Sequence, residues 1–117
     1  MENSILDSIK KLLGIGKEYN AFDQDIIIHI NTAFNTLNQL GVGPQDGFTI
    51  SDNKTQWNEY VSDTKMYEMV KTYIYLKVKL VFDPPLNSSI LESMKQTINE
   101  LEWRLNVQHE NDKEVLE

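Results

Sequence analysis

The sequence predicts an all-α fold, a small helical bundle of about four main helices with a long irregular loop and one candidate short strand between the second and third. Three observations predict it. Apolar residues recur at helical spacing in four segments, each segment ends at glycine or proline, and no apolar/polar alternation lasts long enough to build a sheet. At 117 residues the chain is one domain, and a fold of that size buries roughly two-thirds of the surface its unfolded chain exposes.

Residues 4–13 place Ile5, Ile9, Leu12 and Leu13 on one stripe, with Gly14 and Gly16 as stops, predicting a short amphipathic first helix. Asn20 and Asp23 read as a capping pair for a second helix, and Asp25 adds negative charge to its first turn, where the helix dipole favours it. Its apolar stripe is Ile26, Ile27, Ile30, Ala33, Phe34, Leu37 and Leu40, its wet side carries Asn31, Asn35 and Asn38, and Gly41, Gly43 and Pro44 end it.

From Gly41 to about Thr64 only Phe48-Thr49-Ile50 alternates like a strand, and Thr55 to Val61 could make a helical turn or two. Irregular segments of that length are functional or mobile more often than not. Two readings stay open here, a contact surface and a packed Ω-type loop. On the first, Phe48, Ile50 and Trp57 form a protein interface, joined by Trp103 and Arg104 further along, since Trp and Arg are enriched among interface anchors.

Asp63 can cap a third helix running to Phe82 that is apolar nearly all round, hence central; its one wet arc holds Lys65, Glu68, Lys71, Thr72, Tyr75 and Lys79. Lys77 falls opposite that arc, which favours a stem snorkelling along apolar surface over a pair with a carboxylate or a neighbouring subunit. Asp83-Pro84-Pro85 stops this helix, because a residue before proline avoids the helical region and proline has no backbone donor. Ser89-Ile90-Leu91-Glu92 resembles a capping box for a fourth helix extending to about Gln108. Leu91, Met94, Ile98, Leu101 and Leu105 give it a narrow seam, suited to one partner helix or to another subunit. Residues 1–108 are thus expected to form the helical domain and 109–117 a flexible acidic C-terminal tail.

Composition excludes several function classes. The absence of cysteine removes disulfides, thiolate zinc sites and cysteine nucleophiles. A net charge of -7 and a single arginine, Arg104, argue against sequence-specific nucleic-acid binding. No apolar run approaches the ~18 residues of a membrane span, and the acidic N-terminus does not resemble a signal peptide, so no membrane association is expected. Asp25 and His29 lie four apart, but a metal site needs a third ligand, and a solvated ion pair explains the spacing better. The serines lack a nucleophile elbow and the Gly41–Pro44 segment lacks the Gly-Lys-Ser/Thr ending of a phosphate loop. Lys10, Lys11 and Lys17 form a small basic cluster. No catalytic residue, cofactor or metal is expected, and the chain should not be an enzyme.

The order of phrases carries a resemblance. Residues 6–15 (Leu6-Asp7-Ser8-Ile9-Lys10-Lys11-Leu12-Leu13-Gly14-Ile15), Phe22-Asp23-Gln24-Asp25-Ile26-Ile27-Ile28-His29-Ile30-Asn31 and Leu40-Gly41-Val42-Gly43 stand in order with Tyr73 to Pro85 and Glu100-Leu101-Glu102-Trp103-Arg104-Leu105-Asn106. In this the chain resembles the small head-tail connector (adaptor) proteins of long-tailed bacteriophages and prophages. The resemblance implies a virion structural protein that assembles as a homo-oligomeric ring beneath the portal protein at the head-tail junction and bridges it to a neighbouring connector or tail component. It also implies assembly in the host cytoplasm from subunits that are monomers in solution. The alternative is a monomeric helical interaction or regulatory module, docking a single partner through the 91, 94, 98, 101, 105 stripe.

Overall fold

The computed structural model describes residues 3–116, with side chains through Val107. Four helices appear in order: α1, Ile5–Leu12; α2, Asp23–Gln39; α3, Thr64–Phe82; and α4, Ser88–Leu116. One 3-10 turn, Trp57–Glu59, interrupts the loop between α2 and α3. α3 packs against all three other helices, as its near-continuous apolar surface requires. Phe22, just before α2, meets Phe82 at the end of α3, and late in α4 Asn106 Nδ2 donates to the Leu40 carbonyl just past α2. The long helices therefore alternate in direction.

α1 is short but buried on nearly every side, so its apolar stripe differs from the expected one. Ile5, Leu6 and Ile9 are enclosed, worth roughly 5–9 kcal/mol of gross burial, while Leu12 is exposed and Leu13 half-buried. Asp7, Ser8 and Lys10 are buried beside them. Ser4 caps the helix, its Oγ accepting from the Asp7 N–H at 3.2 Å. At the other end the Gly14 N–H donates to Lys11 O and the Ile15 N–H to Lys10 O at 2.9 Å, the paired bonds of a Schellman stop with Gly14 at φ +81. α2 ends in the same way: Gly41 N–H to Asn38 O, Val42 N–H to Leu37 O, and Gly41 at φ +85.

The start of α2 departs from expectation. Phe22 is its N-cap and no side chain caps it. Asn20 contributes only its carbonyl, which accepts from the Asp23 N–H at 3.3 Å. The Asp23 carboxylate turns instead to α1, where its Oδ1 lies 2.8 Å from Lys10 Nζ. Lys10 is only 1% exposed, and its ammonium donates to the Lys17 carbonyl at 3.1 Å. One buried cation thus ties together α1, the connecting loop and α2.

The candidate strand Phe48-Thr49-Ile50 forms no strand among the described residues. Asn31, expected on the wet side of α2, supplies both missing bonds: its Oδ1 accepts from the Ile50 N–H at 2.8 Å and its Nδ2 donates to Ile50 O at 2.9 Å. A side-chain amide replaces a neighbouring strand there. Nearer the N-terminus an isolated antiparallel bridge joins Ser4 and Gln56, with Ile5 N–H to Thr55 O and Trp57 N–H to Asn3 O.

Asp63 caps α3 as expected, its Oδ1 accepting from Lys65 N–H and Met66 N–H. Lys77 is half-buried with its ammonium 6.0 Å from the centre of the Tyr73 ring, a cation–π contact, and it makes no ion pair among the described residues. Tyr75, placed on the wet arc, is half-buried against the core. α4 begins one residue before the expected capping box, and its cap is Asn87, whose Oδ1 accepts from Ser89 N–H and Ile90 N–H. The backbone of α4 continues to Leu116, past the end expected near Gln108. The flexible acidic tail expected at 109–117 falls on residues whose side chains lie outside those described.

Candidate protein-interaction surface

No group of three or more His, Cys, Asp or Glu side chains among the described residues could hold a metal ion. Asp25 is exposed and makes no ion pair with His29 among the described residues. Two tyrosines are strongly perturbed. Burial holds the Tyr60 phenol well above its ordinary range. Burial does the same to Tyr73, reinforced by its hydrogen bond to Glu102 Oε2 at 2.7 Å and by that carboxylate's charge. Both therefore stay protonated donors, Tyr60 to the Val42 carbonyl and Tyr73 across the α3/α4 contact.

Of the five residues expected at an interface, three point inward. Trp57 is 2% exposed, donates from Nε1 to Ser8 Oγ at 2.7 Å and meets Tyr67 edge-on at 5.7 Å between centroids. Phe48 stacks with Phe34 and Tyr60, each at 5.0 Å, and Ile50 is buried. Of the two readings of the loop, the packed one describes these side chains: their aromatic bulk anchors the loop to the bundle. Trp103 and Arg104 lie on the surface. Trp103 is 67% exposed, and Arg104 Nη2 pairs with Glu100 Oε1 at 2.6 Å, an exposed i, i+4 contact of little energetic weight.

The seam of α4 faces α3, with Met94, Ile98 and Leu105 buried and Leu91 and Leu101 half-buried. The stripe that a monomeric module would use for docking is therefore filled within the chain. At 100° per residue Trp103 lies about 160° around α4 from that seam, on the side turned away from α3. A shallow hollow of about 310 Å³ on the flank of the α3/α4 pair is lined by Leu76, Ile90, Met94 and the short side chains Ser89, Ser93 and Thr97.

A second exposed apolar region escaped sequence reasoning. Tyr19 is 53% and Phe22 41% exposed; their rings are 5.8 Å apart, and Phe22 meets Phe82 edge-on at 5.3 Å. Leu13, Ile15, Phe22, Phe82 and Asp83 line a hollow of about 350 Å³ beside them. The Schellman stop at Gly14, the Lys10–Asp23 ion pair and the Lys10 hydrogen bond to the Lys17 carbonyl set the course of the loop that presents this corner. The available signal was the spacing of Tyr19 and Phe22, three apart outside any helical stripe.

Exposed aromatic and aliphatic clusters on a rigid helical frame are suited to packing against other chains. Among the described residues no helix is long and apolar enough to cross a membrane. A family model described as phage connector protein matches residues 5–112, which include all four helices apart from the last residues of α4. No curated protein and no solved structure matches the chain.

Proposed function

The chain belongs to the phage connector protein family, and from that premise we propose that it is a head-tail connector, assembling as a ring beneath the portal and joining the DNA-filled head to the tail. The observation that carries this reading is the family match across residues 5–112. The physical character of the chain supports it: a close-packed helical body carrying large apolar side chains on its outside. In this reading the partners are the portal protein, a neighbouring connector or tail component, and further copies of the chain. Trp103 and Arg104 contact one of them. The acidic balance suits a conduit through which DNA must pass without adhering.

Electron microscopy of the phage particle tests the proposal. Density for this bundle should appear as a ring between portal and tail; a particle with complete head and tail and no such density would overturn it. Truncation after Asn106 separates folding from assembly. The truncated chain should melt close to the full-length protein and fail to enter particles, whereas a large fall in melting temperature would make the last turns of α4 part of the domain's own stability.

A further inference from the structure

We propose that in the assembled ring α4 leaves its own bundle and packs on α3 of the neighbouring copy, an exchange of helices from subunit to subunit. The inference rests on the ring reading above and names the contact that would close the ring.

The α3/α4 junction differs from the other two. The α1–α2 loop is held to the body by the Lys10 hydrogen bond to the Lys17 carbonyl, and the α2–α3 loop by Asn31 to Ile50, Trp57 to Ser8 and Ile5 to Thr55. The five residues between α3 and α4, Asp83-Pro84-Pro85-Leu86-Asn87, make no hydrogen bond or ion pair among the described residues except with the ends of those two helices. Leu86 is fully exposed. The two prolines bar a helical hinge, because the residue before each avoids the helical region. Straightened, five residues carry the chain roughly 16–18 Å, nearly two helix-to-helix spacings of about 8–10 Å.

α4 is also separable. It is the last element, packs extensively on α3 alone, and its hydrogen bonds to other elements are those of Glu102 with Tyr73 and Asn106 with Leu40. Its first turns are loosely seated: Ile90 is 53% exposed, Val81 near the end of α3 is 60% exposed, and the hollow of about 310 Å³ lined by Leu76 and Met94 lies there. An incoming α4 remakes every one of these contacts, since its sequence is the same, so the groove on α3 has an occupant whose fit the closed chain already demonstrates. Exchange brings the hinge ends of adjacent copies together, and the exposed Val81, Leu86 and Ile90 are the apolar groups that meet there. Each copy gives one helix and takes another, so the contact runs head to tail and closes into a ring if the rotation permits. A free subunit keeps α4 folded back on itself and stays a monomer.

The cysteine-free sequence allows a direct test. Leu76→Cys on α3 and Thr97→Cys on α4 line the same hollow. In the free monomer carrying both, a short bis-maleimide should link α3 to its own α4 and leave a monomer band on a denaturing gel. In assembled particles the same chain should give a ladder of multiples, and particles mixing the two single variants should give dimers. Monomers linked before assembly should be locked closed and lose entry into particles; normal incorporation would overturn the inference. Microscopy of unsubstituted particles reads the hinge without any variant: density through residues 83–87 should cross to the neighbouring copy. Density returning to its own α3, or an intrachain-linked monomer recovered from particles, would overturn the exchange while leaving the ring intact. Particles holding the chain in single copy would overturn the ring, and the exchange with it.

Discussion

Replacing Asp23 by alanine removes the carboxylate facing the most deeply buried cation of the described domain. Lys10 is 1% exposed, so without Asp23 its ammonium retains only the Lys17 carbonyl at 3.1 Å. Breaking a buried pair from one side costs about 3–5 kcal/mol, because the remaining charge cannot be rehydrated in place. An unfolding entropy of about 2.1 cal/mol/K per residue gives roughly 0.25 kcal/mol/K for this chain, so the melting temperature should fall by about 12–20 °C. Lys10→Met should cost less, on the order of 1–2 kcal/mol, since it keeps the apolar stem and the Asp23 side chain, 24% exposed, can turn its buried Oδ1 out to water. The double variant should resemble Lys10→Met alone, with the excess cost of Asp23→Ala cancelled. Urea unfolding followed by circular dichroism measures all three. If Asp23→Ala costs no more than the roughly 0.5 kcal/mol of an ordinary surface change, as at exposed Asp25, then the ammonium is not trapped and the reasoning fails.

Three further outcomes are expected. Asn31→Leu should lose about 2–4 kcal/mol by leaving the Ile50 N–H and carbonyl without their partner, and hydrogen exchange at Ile50 should accelerate; an unchanged exchange rate would mean that the loop is held elsewhere. Gly43→Ala should cost about 2–4 kcal/mol, since φ is +87 and the new Cβ would lie 2.5 Å from Tyr60 Cε1, whereas Gly14→Ala, at φ +81 with open space around it, should cost only about 1–2; equal losses would remove the Tyr60 contact from the account. Tyr60 and Tyr73 have folded-state pKa values raised above the unfolded value of 10.0, so their contribution is complete below pH 10 and lost as pH rises above it. The slope is about 1.4 kcal/mol per pH unit for each, or about 3 kcal/mol for both at pH 11, and Tyr73→Phe should halve it. An urea midpoint that does not respond to that substitution between pH 10 and 11 would contradict the assignment.

The helices were legible because each rule behind them acts over a few residues. The Asp63 cap, the glycine stops at 14 and 41, the proline stop after Phe82 and the 91-to-105 seam all depend on local spacing. What was not legible depends on what lies across the fold. An apolar residue in a loop has the same sequence signature whether it faces a partner or its own core, which is why Phe48, Ile50 and Trp57 could stand for an interface while they fill the space beneath the loop. Asn31 occupies a polar helix position, and only the arrival of Ile50 nineteen residues later makes it a hydrogen-bonding partner. Leu6 and Leu12 exchange roles because α1 is enclosed from several directions, so that a single stripe does not describe it. Asn87 takes the cap from Ser89 two residues earlier, within the ordinary uncertainty of a helix boundary. The Tyr19–Phe22 corner went unnoticed because its apolar surface comes from three separate segments that share no period.

The central claim is that this chain acts as a structural joint between head and tail. Electron microscopy of particles produced in its absence tests that claim most directly. The account predicts heads that fail to retain DNA or to acquire tails, with intact tails free in the lysate; normal numbers of DNA-filled, tailed particles would contradict it.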